Sequence, residues 1–90
     1  MKIEFYQSAF CPRCQMASRA LERLQTIFPN LDVETIEVTT NPLVTLRAGI
    51  RMFPALKINN AILSGFFLSQ IKMQDFIAAQ INIQSALKND

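Results

Sequence analysis

The residues of this chain that are best suited to chemistry are its only two cysteines, Cys11 and Cys14, which Pro12 and Arg13 separate. Thiols at this spacing are compatible with a redox pair, with half of a metal site, or with two small side chains in a hydrophobic core. The chain has no histidine, which excludes Cys-His and Ser-His-Asp nucleophilic systems and any metal site that needs an imidazole. A closed zinc site would therefore require further thiolates from a second chain or from an external thiol.

The segments that flank the cysteines predict a strand before them and a helix after them. Residues 2–7, KIEFYQ, are rich in residues that favour strands. Apolar residues then recur at helical spacing from about Arg13 to Phe28, and Pro29 ends the pattern. The apolar positions are Ala17, Ala20, Leu21, Leu24, Ile27 and Phe28. The two cysteines are thus expected where a strand ends and a helix begins.

That position predicts different roles for the two thiols. A helix N-terminus stabilises an anion, because its first N–H groups are unpaired and the peptide dipoles place positive charge there. Cys11 is therefore expected to ionise more readily than an ordinary cysteine, with help from the charge of Arg13. Pro12 suits the first helical turn, where its missing N–H is not needed. Cys14 lies nearly one turn further on and is expected to be more shielded, so Cys11 would attack a disulfide and Cys14 would resolve the mixed disulfide.

The remaining sequence predicts three more strands and two more helices. Strands are expected over residues 31–38, 52–59 and 61–67, with a hairpin-type turn at Asn59-Asn60 between the last two. A short helix is expected to open at Pro42 and to end at Gly49.

A last helix is expected from near Gln70 with its apolar face inward, and residues 82–90 fit no single pattern. The inward residues of this helix are predicted to be Ile71, Phe76, Ile77 and Ile81. The element order is β-α-β-α-β-β-α, which predicts one α/β domain over residues 1–90 with a mixed sheet and helices on its faces.

The composition of the chain narrows the classes of function. Half of its 90 residues are apolar and its net charge is +2, which suits a packed globular domain and does not point to nucleic acid. No apolar run is long enough to span a bilayer, and the N-terminus lacks the features of a signal peptide. The sequence therefore predicts a cytoplasmic protein with no membrane partner, and we expect it to act as a monomer.

The motifs in their order resemble the thioredoxin and glutaredoxin superfamily over about residues 2–80. The resemblance is carried by CPRC at the strand–helix junction and by the run from Gly49-Ile50 to Pro54 before the third strand. It implies a thioredoxin-like fold with a four-stranded mixed sheet. It also implies a cis Phe53–Pro54 peptide packed against the sulfurs. The backbone of Phe53 would pair with a bound substrate chain.

Some of these motifs resemble glutaredoxins and others resemble thioredoxins, the two branches of the superfamily. The C-P-x-C motif resembles the CPYC of glutaredoxins, although Arg13 replaces their tyrosine, and Phe10 stands where thioredoxins have tryptophan. Glutaredoxins commonly hold glutathione with a lysine three residues before the first cysteine, a valine before the cis-proline and a Gly-Gly-Asp step. The matching positions here are Ser8, Phe53 and 64–65 (Ser-Gly) with no acidic residue soon after. The ending SGFFLSQIKMQDFI resembles small thioredoxin-like proteins of anaerobic prokaryotes.

The resemblance implies a thiol–disulfide oxidoreductase that reduces protein disulfides with its own Cys11–Cys14 couple and no other cofactor. An unidentified reductase or glutathione would return the electrons. Supporting roles are implied for Pro12, Arg13 and Pro54, and substrate contacts for Phe10, Phe53 and Gly65. Gly65 is equally compatible with a simple kink at a strand end. Three alternatives stay open: a glutathione-dependent glutaredoxin, a dimeric thiolate carrier of metal or iron–sulfur clusters, and a binding module without redox turnover.

Overall fold

The fold is known from a computed structural model that describes residues 1–65 and 68–88, with side chains described up to residue 83. The element order predicted from the sequence is confirmed. The elements are β1 (Lys2–Gln7), α1 (Pro12–Ile27), β2 (Asp32–Glu37), α2 (Pro42–Arg47), β3 (Ala55–Ile58), β4 (Ala61–Ser64) and α3 (Gln70–Lys88).

The four strands form one mixed sheet in the order β2-β1-β3-β4. β1 and β2 are parallel because α1 carries the chain back between them, whereas β3 is antiparallel to both β1 and β4. Asn59 has φ 54°, the left-handed conformation that a tight hairpin requires and that asparagine tolerates. The predicted four-stranded mixed sheet is therefore confirmed.

The side chains of β1 alternate between two hydrophobic clusters, one on each face of the sheet. Ile3 and Phe5 point to the larger cluster, which α1 and α3 cover. Tyr6 points to the opposite face and packs with Val38 and Ala55 in the smaller cluster. β1 is thus buried from both sides, which fixes the position of the loop that follows it.

The larger cluster is completed by the apolar face of α1. The buried residues of that helix are Cys14, Ala17, Ala20, Leu21 and Leu24, at the spacing of one helical face. The same face that anchors the helix to the sheet therefore carries one of the two thiols into the interior.

The structure corrects several predicted boundaries. β3 begins at Ala55 rather than at residue 52, because Pro54 has no N–H to give to a strand ladder. β4 ends at Ser64, and the predicted continuation through Phe66 and Phe67 lies outside the described residues. The ambiguous tail is part of α3 as far as Lys88.

The predicted inward face of α3 is partly wrong. Ile71 is 72% exposed, whereas Met73 and Ile77 are fully buried. Phe76 and Ile81 are partly buried and pack against the larger cluster, as predicted. Ile71 precedes Met73 by two residues, which places it about 200° around a helix of 3.6 residues per turn and hence on the solvent side.

No helix in the described segments combines the length and the apolar character that a membrane-spanning helix needs.

Candidate active site

Three chain segments that bear predicted site residues emerge at one edge of the sheet. The register pairs Tyr6 of β1 with Ala55 of β3, and Ala55 with Ser64 of β4. The loop that leads from β1 to the cysteines, the peptide bond before Ala55 and the residue after Ser64 therefore lie at the same end of neighbouring strands. The sheet thus brings together Cys11, Pro54 and Gly65, which are far apart in the sequence.

Cys11 is the N-cap residue of α1. Its backbone is extended, with φ −109° and ψ 108°, and Pro12 is the first helical residue. The Cys14 N–H donates a hydrogen bond to Cys11 Sγ over 3.2 Å, and the Gln15 N–H donates to the Cys11 carbonyl, also over 3.2 Å. A sulfur therefore takes the place that a serine or aspartate oxygen usually has at a helix start. Such a position favours the thiolate over the thiol, because the Cys14 N–H points at the sulfur and the helix dipole places positive charge there.

The two thiols differ in exposure and are both unbridged. Cys11 keeps 7% of its surface in contact with solvent, whereas Cys14 has none. Only Cys11 can thus be approached by a bulky disulfide from outside. The predicted shielding of Cys14 is present in the structure.

The surroundings move the pKa values of the two thiols in opposite directions. Burial acts to raise the pKa of Cys11, but the hydrogen bonds from the Cys14 side chain and backbone, followed by the hydrogen bond and charge of Arg13, outweigh it and lower that pKa. Burial is also the largest influence on Cys14, and together with its hydrogen bond to Cys11 it raises the pKa of Cys14 to about 11. One thiol is therefore prepared to ionise while its neighbour holds its proton.

Ser8, which stands where glutaredoxins have a lysine, has contacts of its own in the loop before Cys11. It is buried, its carbonyl accepts a hydrogen bond from the Cys11 N–H over 3.2 Å, and its hydroxyl accepts a long one of 3.4 Å from the Phe10 N–H. Its backbone also favours the thiolate of Cys14, against the stronger effect of burial. A serine just before a helix start is a known signal for such local bonds, and it could have been used here.

The other predicted site residues lie around this loop with different exposures. The Phe53–Pro54 peptide is cis, as the resemblance implied, and Pro54 is buried. Phe53 is half-buried against the smaller cluster, whereas the side chain of Phe10, next to Cys11, is 91% exposed. Gly65 is partly exposed directly after β4. Contacts of these residues with a substrate stay a prediction.

The described residues do not assemble the ligands of a closed metal site. No group of three or more histidine, cysteine, aspartate or glutamate side chains with metal-binding geometry is present in this part of the chain. Two thiolates alone leave a tetrahedral ion half coordinated. A metal or cluster carrier would thus depend on ligands from another molecule.

Replacement of Arg13 is expected to shift the ionisation of Cys11. Arg13→Gln removes the guanidinium, whose hydrogen bond and charge help to lower the pKa of Cys11, so this pKa should rise, while Arg13→Lys should keep a charged donor and part of the effect. The measurement is the ultraviolet absorbance of the thiolate as a function of pH in the reduced protein. Equal titration curves for the wild type and both variants would show that Arg13 does not influence Cys11.

The fold and the site together define a class: a small α/β domain with a dithiol at the N-terminus of a helix and a cis-proline at the same sheet edge. The sequence model of the thioredoxin family matches residues 1–84. A thioredoxin of Methanocaldococcus jannaschii is 35% identical over 63 residues, which are 69% of this chain and 74% of that protein. The chain therefore belongs to the thioredoxin family. This membership supports a thiol–disulfide oxidoreductase.

Solved structures share the fold at lower sequence identity. Thioredoxin 1 from Thermosipho africanus superposes with a TM-score of 0.77 at 21% identity, covering 94% of this chain and 99% of that one. Thioredoxin O2 from Arabidopsis thaliana, in its oxidised state, gives a TM-score of 0.72 at 13% identity and covers 87% of this chain and 72% of that one. The thioredoxin-like architecture is thus common to distant sequences.

Proposed function

We propose that this protein reduces disulfide bonds in other proteins, with Cys11 as the attacking thiol and Cys14 as the resolving thiol. The observation that carries the proposal is the contrast at the start of α1. Cys11 caps the helix, is partly accessible and has a lowered pKa, while Cys14 is inaccessible with a pKa of about 11. Exchange needs this asymmetry, because an attacking thiolate must form before the second thiol closes the internal disulfide.

The proposed reaction transfers two electrons in two exchanges. The Cys11 thiolate attacks one sulfur of the substrate disulfide, forms a mixed disulfide and releases the other sulfur as a thiolate, which takes up a proton. Cys14 then loses its proton and attacks Cys11 Sγ, which releases the second substrate thiolate. The substrate ends as two thiols, and the protein ends with a Cys11–Cys14 disulfide.

The first exchange itself activates the second thiol. While Cys11 is a thiolate, its hydrogen bond and its negative charge hold the proton on Cys14. In the mixed disulfide the sulfur of Cys11 is neutral, so this part of the barrier to ionisation disappears. Burial, the largest influence, still raises the pKa of Cys14 in the mixed disulfide, but Cys14 ionises more readily there than beside a Cys11 thiolate.

A protein substrate suits the described surroundings better than glutathione. Glutathione offers little area and must be held through its carboxylates. At the positions that bind glutathione in glutaredoxins, the hydroxyl of Ser8 accepts a hydrogen bond from the Phe10 N–H inside the loop, and Phe53 and Gly65 carry no charge. Arg13, beside the attacking thiol, offers a positive charge for only one of the two carboxylates. The ring of Phe10 instead extends the site with an exposed apolar surface. An extended protein segment would gain from that surface and from backbone pairing at Phe53.

The test compares two electron donors. We expect turnover on a protein disulfide, such as that of insulin, with a dithiol reductant as the donor. We expect slow turnover on a glutathione mixed disulfide of a small thiol when glutathione is the only reductant. Efficient and saturable turnover with glutathione would make the protein a glutaredoxin in function. Absence of turnover on either substrate would contradict the oxidoreductase proposal.

The proposed function also includes the electron donor, the oligomeric state and the cellular location of the protein. An unidentified reductase or a dithiol pool regenerates the two thiols, and the protein acts as a monomer in the cytoplasm without a bound metal or organic cofactor. A reducing compartment agrees with the reaction direction, because it keeps the two thiols reduced between turnovers.

A further inference from the structure

The helix α2 exposes most of its apolar side chains. Its one buried residue is Thr45, whose hydroxyl donates a hydrogen bond of 2.8 Å to the Asn41 carbonyl at the helix start. Leu43, Val44 and Leu46 are 64%, 50% and 66% exposed. A helix whose only role was to cover the sheet would turn aliphatic residues inward and polar ones outward, and α2 does the reverse.

The chain segment that contains α2 begins and ends near the loop of residues 8–11 that joins β1 to α1, here called the redox loop. Val38, which follows β2, donates its N–H to the Gln7 carbonyl over 2.8 Å, so the connection into α2 starts beside the end of β1. After the helix the chain passes Met52, which is 46% exposed, and then enters the cis Phe53–Pro54 peptide. Of the ten large hydrophobic side chains that are exposed among the described residues, four lie in this segment between residues 43 and 52.

The charged residues within the segment that carries these apolar side chains are both positive. Between Val38 and Leu56 the chain carries Arg47 and Arg51 and no acidic residue. Both arginines are exposed, and neither forms a salt bridge with any residue that the structure describes. The ion pair that is present in those residues, Lys2 with Glu34, lies at the start of β1, away from the end of the strand that leads to Cys11. Glu37 stands at the same end of the sheet, where its carboxylate accepts hydrogen bonds from the Thr39 N–H and hydroxyl. The segment from residue 39 to residue 55 carries two positive charges and no negative one, so the surface of this segment attracts negative charge.

We propose that Leu43, Val44, Leu46, Met52, Arg47 and Arg51 form a docking surface, here called the α2 surface. It selects protein substrates that present an apolar patch flanked by carboxylates next to their disulfide. The inference rests on the proposed function, because it names the class of protein disulfide that reaches Cys11. An apolar patch of this kind would contribute binding energy on contact, and the two arginines would steer acidic partners and disfavour basic ones.

The first arm of the test varies the charge of the substrate peptide and the charge of the α2 surface. Three synthetic peptides share one disulfide loop and one leucine-rich flank, and differ only in having acidic, neutral or basic residues beside it. At low ionic strength we expect kcat/KM to be about tenfold or more higher for the acidic than for the basic peptide, and the ratio to approach one in 0.5 M salt. The variant R47E/R51E should invert the ratio. The control R23E/K72E makes the same charge change on exposed positions of α1 and α3 and should preserve it.

The second arm varies the apolar contact. L43S/L46S should lose about tenfold in kcat/KM on the leucine-flanked peptides and little on peptides with a serine flank, since each buried leucine contributes substantially to association. I71S, which alters an equally exposed aliphatic residue on α3, should leave both values unchanged. Hydroxyethyl disulfide, which is too small to reach the α2 surface, should be reduced equally by all variants.

The outcomes separate this inference from the proposed function. If the wild type reduces none of the peptides and no protein disulfide, the oxidoreductase proposal fails. If it reduces all three peptides at equal rates, or if R23E/K72E changes the ratio as much as R47E/R51E, redox activity stands and the α2 surface is not a selective docking site. A charge preference that persists unchanged in 0.5 M salt would also overturn the steering role of the two arginines.

Discussion

Replacement of Cys11 by serine is expected to reduce turnover on a protein disulfide to the uncatalysed rate, whereas Cys14→Ser should stop the reaction after one exchange. The reason lies in the geometry of the helix start. Cys11 Sγ accepts a hydrogen bond from the Cys14 N–H, and it is the sulfur that solvent reaches. Without it, the remaining thiol is buried with a raised pKa and cannot attack. Without Cys14, the mixed disulfide forms but has no internal thiol to resolve it.

The two serine variants are distinguished by what they trap. Cys14→Ser incubated with a disulfide-containing protein should accumulate a mixed disulfide between Cys11 and the substrate, with one substrate thiol released per adduct. A reductant should cleave this adduct. Cys11→Ser should yield few adducts or none under the same conditions. The double variant measures the background. Adducts formed mainly by Cys11→Ser would reverse the assignment of the attacking thiol.

Iodoacetamide at pH 7 is expected to label Cys11 at least about tenfold faster than Cys14 in the reduced protein. The pKa of Cys11 lies below its ordinary value of 9.0 and that of Cys14 is about 11, so the thiolate populations differ by about 100-fold or more. A less basic thiolate is also a weaker nucleophile. With a Brønsted coefficient of about 0.4–0.5, this reduces the expected ratio of the two labelling rates by a factor of about ten. The complete burial of Cys14 widens the remaining difference.

The pH dependence of labelling provides the sharper measurement. The rate at Cys11 should reach its plateau at a lower pH than an unfolded cysteine peptide of the same sequence, because its pKa is lowered. The rate at Cys14 should still be rising where the first plateau is complete. Peptide mapping after brief labelling reports both sites in one sample, and the protein unfolded in denaturant is the control. Labelling of the two cysteines at equal rates in the folded protein would contradict the proposed asymmetry.

Local features of the redox loop could be predicted from the sequence because they depend on close neighbours. The spacing of Cys11 and Cys14 allows the N–H of the second to reach the sulfur of the first, as any N-cap side chain does with the third residue of its helix. Pro12 at the first helical position and the buried face of α1 likewise involve residues within one or two turns. These interactions need no distant part of the chain, so residue type and periodicity were sufficient.

Which of two equally apolar neighbours is buried depends on the tertiary structure. Ile71 and Met73 both suit a buried position, but α3 turns the face that carries Met73 towards the larger cluster and leaves Ile71 in solvent. The three aliphatic residues of α2 are predicted in a helix, but only the structure shows that they are exposed while Thr45 is the buried residue. Periodicity identifies an apolar residue, whereas exposure depends on what lies opposite it.

By itself, the sequence determined the order of the elements, the chemistry of two thiols at a helix start and the family resemblance. Only the tertiary structure decided that Cys11, Pro54 and Gly65 share one sheet edge, through the pairing of Tyr6 with Ala55 and of Ala55 with Ser64. It also decided the raised pKa of Cys14, because that value comes mainly from burial. Spacing along the chain acts over a few residues, while strand register and burial depend on segments tens of residues apart, whose free energies of packing are settled together.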